Sequence, residues 1–386
     1  MEPLPMEHAI QTLREQIRSA HADRTVLRTR GGGSKDFYGN SLQGTVLDTR
    51  GLAGVLSYEP SELVVTAGAG TALADLEALL AEQGQCLPFE PPHFAWSGAT
   101  TATVGGMVAS GLAGPARASV GGVRDYVLGL HMVNGLGQEL QFGGQVMKNV
   151  AGYDVSRLMV GALGTLGLLT QISLKVLPRA PAEATLCFAL PQQQALEQLH
   201  RWGAQPLPLN ASCWVRDDSD TTRAARELLF VRLRGAVAAV DAACRTMCSD
   251  CVGERIDNAQ AQADWQLCRD QQLPFFARPS APNMALWRLS VAQTAPVLDV
   301  HWAQLVEWHG ALRWLWAPLD AAAQLQSQAQ ARGGHATLFV APGANALPLS
   351  GRFAPKNAAE TAIEQRLKKS FDPHGIFNPG RLTAAH

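Results

Sequence analysis

The sequence predicts an α+β protein built from two domains. Three observations lead there. The chain has 386 residues, more than one domain usually takes. Its glycines crowd forward, with 26 of the 36 between Gly31 and Gly167, whereas eight of the nine tryptophans follow residue 200. Short β-rich runs alternate with helical patterns in both halves, without an internal repeat. The prolines of Leu177-Pro178-Arg179-Ala180-Pro181 end a strand and stiffen a linker. We therefore expect a first domain over 1–179, a second over 180–357, and a C-terminal helix and tail over 358–386 that return to the first.

The elements follow in order. Strands are expected over 25–29, 44–49 and 63–67. Residues 71–83 read as a helix with Thr71 as N-cap and Gly84 as stop signal. Residues 127–133 and 138–142 form a hairpin, closed by a turn that begins Asn134-Gly135. A further strand covers 168–177. Beyond the boundary, 236–251 and 318–332 have helical patterns, and 286–291 and 336–340 read as strands. The segment 358–381 is a helix followed by a Pro/Gly-rich tail.

Composition excludes several classes. The balance of 32 basic and 33 acidic residues provides no concentrated basic patch for nucleic acid or an acidic membrane surface. The first residues carry Glu, Arg and His throughout, so no signal-peptide core is expected. The longest apolar stretch, near 158–170, is too short and too glycine-rich to span a membrane. Seven cysteines, an odd number set mostly in apolar or helical stretches, fit a reduced, cytoplasmic protein.

Three glycine-rich segments carry the chemistry. Arg30-Gly31-Gly32-Gly33-Ser34-Lys35 directly follows a strand. Glycine takes left-handed angles without the penalty of about 1–2 kcal/mol that other residues incur, and we expect Gly32 to do so. Successive N–H groups then point into one anion-binding concavity, to which Ser34 adds a hydroxyl. A flexible loop is the competing reading. Thr100-Thr101-Ala102-Thr103-Val104-Gly105-Gly106 lets backbone approach a flat ligand, or simply starts a packed helix. Gly161-Ala162-Leu163-Gly164-Thr165-Leu166-Gly167 repeats glycine every third residue before a strand, which plain packing explains on its own. A fourth segment, Gly68-Ala69-Gly70-Thr71-Ala72-Leu73, imitates a dinucleotide fingerprint. Leu73 replaces its last glycine, and Glu90, the acid near the expected spacing, lies in a proline-rich loop. A Rossmann domain is rejected.

In order and spacing these segments resemble the FAD domain of the vanillyl-alcohol oxidase / p-cresol methylhydroxylase family. Val123-Arg124-Asp125-Tyr126-Val127-Leu128-Gly129 and the ending Phe371-Asp372-Pro373-His374-Gly375-Ile376-Phe377-Asn378-Pro379-Gly380-Arg381 share in the likeness. Other stretches are similar to the FAD-binding subunits of glycolate oxidases. They are Glu90-Pro91-Pro92-His93, Met147-Lys148-Asn149-Val150-Ala151-Gly152-Tyr153-Asp154-Val155-Ser156-Arg157-Leu158, Gln272-Leu273-Pro274-Phe275-Phe276, Gly310-Ala311-Leu312-Arg313-Trp314 and Gly333-Gly334-His335-Ala336-Thr337. The resemblance implies a two-part FAD-binding domain of p-cresol methylhydroxylase type and a smaller α+β cap domain. It implies a flavin diphosphate on Arg30, Gly31, Gly32, Gly33, Ser34 and Lys35. Thr100, Thr101, Thr103, Val104, Gly105 and Gly106 would flank diphosphate and isoalloxazine. Backbone of Gly164, Gly167 and Leu169 would meet adenine or ribose, and Asn378 would approach the isoalloxazine. No His or Cys lies inside the Arg30–Lys35 loop, so FAD is expected to be noncovalent.

The resemblance further implies a catalytic FAD subunit and an iron–sulfur subunit as partners, with glycolate, a small 2-hydroxy acid, as substrate of the complex. Any attachment to the inner membrane would run through those partners. The metal signature of the related hydroxy-acid dehydrogenases is reduced here to Gly333-Gly334-His335, and Ala341 to Ala346 lack its second segment, so no metal is expected. That departure favours an accessory role, by electron relay or assembly. His335, Arg288 and Arg313 are the candidates for catalysis. The tryptophan-rich run 302–316 offers either a partner surface or core packing. Cys244, Cys248 and Cys251, with Cys268, have cluster-like spacing, but three cysteines on one helix face read better as packing.

Overall fold

The computed structural model describes residues 5–94, 101–144, 154–218, 222, 224–277, 279, 281, 283–343 and 351–383. The chain divides into two units: 1–112, 122–178 and 355–386 form the first, and 113–121 with 179–354 the second.

The first unit opens with the helix Pro5–Asp23. Ile10, Leu13 and Ile17 recur on one face, and they pack with Leu47, Leu52, Val133 and Leu168. Strands β1 (Leu27–Arg30) and β2 (Thr45–Asp48) form a parallel pair. β3 (Val55–Glu59), β4 (Val64–Gly68), β6 (Val127–Val133), β7 (Glu139–Gly143) and β8 (Leu168–Lys175) make a five-stranded antiparallel sheet, while β5 (Gln85–Cys86) and β9 (Leu177–Pro178) pair separately. The order is β3-β4-β8-β6-β7. The hairpin turn is held by Asn134, whose Oδ1 accepts the N–H groups of Leu136 and Gln138, both at 3.0 Å.

One boundary differs from expectation. The helix starts at Leu73 with Ala72 as N-cap, and Thr71 does not cap it. The Thr71 hydroxyl instead exchanges hydrogen bonds with Gly54, at 3.0 and 3.1 Å. That tertiary partner lies seventeen residues back, beyond any local rule.

The second unit is built on an eight-stranded antiparallel sheet. Its strands are β10 (Ala182–Ala189), β11 (Leu209–Asp217), β12 (Arg226–Gly235), β13 (Gly253–Ile256), β14 (Met284–Ser290), β15 (Gln304–Glu307), β16 (Leu312–Pro318) and β17 (His335–Val340), in the order β13-β10-β12-β11-β15-β16-β14-β17. Alternate residues of each strand face the helices Gln192–Gly203, Val237–Asp250 and Ala322–Gln330, forming two apolar clusters. The other residues form the opposite face, where Trp314 and Phe339 meet edge to face at 4.9 Å.

Trp308, Trp314 and Trp316 are buried and Trp302 packs against the second cluster, so the tryptophan-rich run builds core rather than a partner surface. The helix Val237–Asp250 runs unbroken, and Cys244 and Cys251 pack against the first cluster. Cys268 lies elsewhere, donating from Sγ to Glu307 Oε1 at 2.7 Å. Among the described residues no three His, Cys, Asp or Glu side chains gather as metal ligands. None of their helices is long and apolar enough to cross a membrane.

Candidate functional site

In the first unit the loop after β1 and the segment entering the helix Val104–Ser110 lie backbone against backbone. Gly33 and Thr101 form a parallel bridge. A Cβ on Gly32 would overlap the Thr101 carbonyl oxygen, and one on Gly31 would come within 2.5 Å of Thr103 Oγ1. The left-handed angle falls on Gly33, at φ 78°, and not on Gly32. Gly32 is required for close approach instead. The Arg30 side chain folds back to Asp36 at 2.7 Å. Lys35 Nζ donates to the hydroxyl of buried Ser34 at 3.3 Å and stands 5.5 Å from the centre of the Phe94 ring.

Thr103 caps its helix, its Oγ1 accepting from Gly106 N at 3.2 Å. Val104 N and Gly105 N donate to the carbonyls of Thr71 and Ala69, at 3.0 and 2.8 Å. The helix exit is tied to the third glycine segment: Gly161 N donates to Val108 O and Leu163 N to Ala109 O. Gly164, at φ 68°, lies against Asn378. Gly167 enters β8 beside Met132, and Leu169 is buried opposite the same residue. Thr100 and the 147–153 part of the resemblance fall outside the described residues.

Asn378 joins the tail to this site. Its Oδ1 accepts from Thr29 N at 3.0 Å and its Nδ2 donates to Leu163 O at 2.7 Å, so one amide bridges the strand before the first loop to the third segment. Arg381 closes the family-like ending without a role assigned from sequence; it is buried and donates to the carbonyls of Asp36, Tyr38 and Asn40. Asp372 is buried too. It accepts from Lys368 Nζ at 2.6 Å and from the N–H groups of Ile376 and Phe377 at 3.0 and 2.8 Å. The ending was legible as a likeness, but the partners of its arginine were not.

These residues fit an anionic, elongated cofactor. The Thr29 hydroxyl is buried without a hydrogen-bond partner among the described residues, next to Arg30 and facing Gly164. A cleft of about 610 Å³ opens along Gly161, Ala162, Thr165 and Leu166, with Arg124, Lys369, Arg381, Glu364 and Asp372 on its walls; the Arg30–Lys35 loop and Thr101 to Gly106 do not line it.

In the second unit, register sorts the three catalytic candidates. Arg288 pairs with Trp314 across β14 and β16 and with Thr337 across β14 and β17, and Ser290 pairs with His335. Residues two apart share a face, so Arg288 and His335 stand together. His335 is exposed as a residue, yet partial desolvation of its ring, and then the Arg288 charge, hold the imidazole below its ordinary pKa. Arg313 pairs with Leu289 and faces the helices. It is fully buried, donating to Gly310 O and Ala295 O at 2.8 and 3.1 Å, and burial pushes its pKa down to about 10. The fold does not bring it to the other two. Gly333 and Gly334 end the helix Ala322–Gln330, with N–H bonds to Gln330 O and Ala329 O at 3.0 and 2.9 Å. A stop signal accounts for that glycine pair.

Comparisons with known proteins found a matching family and several relatives. The family described as FAD binding domain matches residues 8–143. Glycolate oxidase subunit GlcE of Escherichia coli is 44% identical over 374 residues, covering 97% of each chain. A D-lactate dehydrogenase of Archaeoglobus fulgidus is 34% identical over 166 residues, which span 42% of this chain and 36% of that protein. Among solved structures, an alkyldihydroxyacetonephosphate synthase superposes with a TM-score of 0.65 at 16% identity, covering 96% of this chain and 76% of that one, which supports the fold. On its end-to-end likeness to GlcE and its match to the FAD binding domain, the chain belongs to the GlcE family of glycolate oxidase subunits, FAD-binding proteins of the p-cresol methylhydroxylase type.

Proposed function

We propose that this chain is the FAD-binding subunit of a heteromeric glycolate oxidase. It takes part in the oxidation of glycolate to glyoxylate by flavin electron relay or by assembly, and another subunit carries the main catalysis. The observation behind the reading is the alignment with GlcE, which runs the length of both chains. The partners are a catalytic FAD subunit and an iron–sulfur subunit. The complex is cytoplasmic, and any contact with the inner membrane runs through those partners.

Noncovalent FAD supplies a two-electron acceptor when bound. The loop Arg30–Lys35 and residues Thr101 to Gly106 would hold its diphosphate, with the tail residues Asn378 and Arg381 bracing them. Direct oxidation of glycolate needs a cation for the carboxylate and a base for the hydroxyl proton. Arg288 and His335 share a sheet face and so favour a second reading, a self-sufficient 2-hydroxy-acid dehydrogenase.

An absorbance experiment separates the two. Purified alone, the chain should show a flavin spectrum that glycolate bleaches slowly or not at all. Co-expressed with both partners, it should purify in a complex whose flavin glycolate reduces. Acid precipitation should leave the chromophore in solution, whereas a yellow pellet would mean a covalent bond. Rapid bleaching of the single chain, abolished by His335→Ala, would establish the self-sufficient enzyme instead.

A further inference from the structure

We propose that Cys213 and Cys268 form an oxidative modification site inside the second unit, a dithiol that a small hydroperoxide entering the cavity beside it converts to a disulfide. The inference rests on neither the flavin nor the glycolate reading.

Strand register brings the groups together. Cys213 of β11 pairs with Glu307 of β15 across the antiparallel sheet, so their side chains stand side by side on one face. The helix Asn258–Arg269 covers that face, and its Trp265 donates from Nε1 to Thr185 Oγ1 of β10 at 3.0 Å. Cys268, near the end of this helix, meets the same spot. Its Sγ is 2.7 Å from Glu307 Oε1 and within hydrogen-bonding reach of Cys213. Trp314 Nε1 donates to the other Glu307 oxygen at 2.9 Å and holds the carboxylate in place. Both cysteines are buried, and both are free thiols.

Buried cysteines usually serve as small apolar side chains. Two observations set this pair apart. A carboxylate oxygen lies against one of the thiols, which apolar packing does not call for. Both residues also line a cavity of about 270 Å³, walled by Thr185, Phe230, Trp265 and Phe275, with the exposed Arg216 and Asp218 also on its lining. A water takes about 30 Å³ in the liquid, so a small hydroperoxide fits. Cys187 of β10 is buried too, but it does not line the cavity.

The chemistry balances with the peroxide as oxidant. Cys268 Sγ attacks one peroxide oxygen, the O–O bond breaks, and the thiol proton leaves with the second oxygen as water. Cys213 Sγ then attacks the sulfur of the resulting sulfenic acid. The S–O bond breaks, the S–S bond forms, and the Cys213 proton departs with the hydroxyl as a second water. Two electrons pass from the sulfurs to the peroxide. The Cys213 contact, burial and the Glu307 charge hold the Cys268 thiol above its ordinary pKa. Cys268 therefore rests protonated, and the reaction should quicken as pH rises and thiolate appears.

The test is treatment of the full-length, FAD-loaded protein with hydrogen peroxide, then alkylation of free thiols, digestion without reduction and peptide mass mapping. The native protein should yield a cross-linked peptide pair holding Cys213 and Cys268, which dithiothreitol separates. Cys187 should remain open to alkylation after unfolding. From pH 7 to pH 8 the cross-link should form roughly tenfold faster, as the thiolate fraction grows. In Cys213→Ala, Cys268 should stop as a sulfenic acid that dimedone traps, and a wild-type Tm shows that this variant folds. Mapping of the wild type decides without any variant. If both thiols are still alkylated when the exposed Cys248 has been oxidised, the proposal is overturned. Cross-links of Cys213 or Cys268 to other cysteines, as frequent as the cross-link between the two, would overturn it as well.

Discussion

The candidate sites of the two units are built by opposite means. In the first, backbone does the work: Gly31 to Gly33 lie against Thr101 to Thr103 so closely that a single Cβ would collide. In the second, side chains do it: Arg288 and His335 come from different strands and meet through sheet register. A backbone-built site tolerates no added atom. A site built from side chains tolerates substitutions that keep charge and shape. Sensitivity to mutation should therefore differ between the units in kind as well as in size.

The largest effect should come from Gly32→Val. Its side chain would overlap the Thr101 carbonyl and push apart the segments expected to hold the diphosphate. We expect loss of FAD during purification and a lower Tm. Ligand present at roughly a thousandfold over its Kd contributes about 4 kcal/mol of stability, and that contribution would vanish. Flavin content per chain and a melting curve provide the check, and unaltered flavin content would remove this loop from the site.

A middling effect should follow from pH in the second unit. Burial pushes the His309 pKa from 6.5 down to about 4, so the folded chain refuses a proton that the unfolded chain accepts. Stability from this group is complete above about pH 6.5 and is lost as pH falls toward 4, by about 3 kcal/mol at most. His309 adopts a left-handed angle, φ 54°, which Asn tolerates, so His309→Asn should flatten the dependence. Urea midpoints at pH 7 and pH 4.5 measure it: the wild type should lose more than the variant between those values.

The smallest effect should come from His335→Ala. The residue is exposed at the start of β17, where substitutions usually change stability by no more than about 0.5 kcal/mol. Assembly and the activity of the complex should persist. Steady-state oxidation of glycolate by the variant complex decides it, and a drop of a hundredfold or more would make His335 a catalytic base.

The same contrast explains what was legible in the sequence. Glycine spacing advertises backbone geometry directly, so the Arg30–Lys35, Thr101–Gly106 and Gly161–Gly167 segments stood out and lie connected in the structure. Even so, the glycine at the left-handed position was misassigned, because the close approach of Gly32 to Thr101 is a tertiary fact. Strand register is not written in composition. Arg288 and Arg313 looked equivalent as sequence, yet one faces the aromatic side of the sheet and the other the helices. Arg381 stood in the family-like ending, but its clasp could not be read there, since it reaches carbonyls more than 340 positions away.

The clasp of the tail on the first loop has a consequence for how the protein is made. Asn378 bonds to Thr29 across 349 positions, and Arg381 reaches Asp36, Tyr38 and Asn40 across 341 to 345. The whole second unit is translated in between. At bacterial and eukaryotic elongation rates that interval lasts roughly 20 to 70 s. The nascent first unit must wait through it with its loop unbraced, and the clasp closes only once the final residues have been added. An early stop codon before residue 378 would leave both sheets encoded and the first loop unlatched.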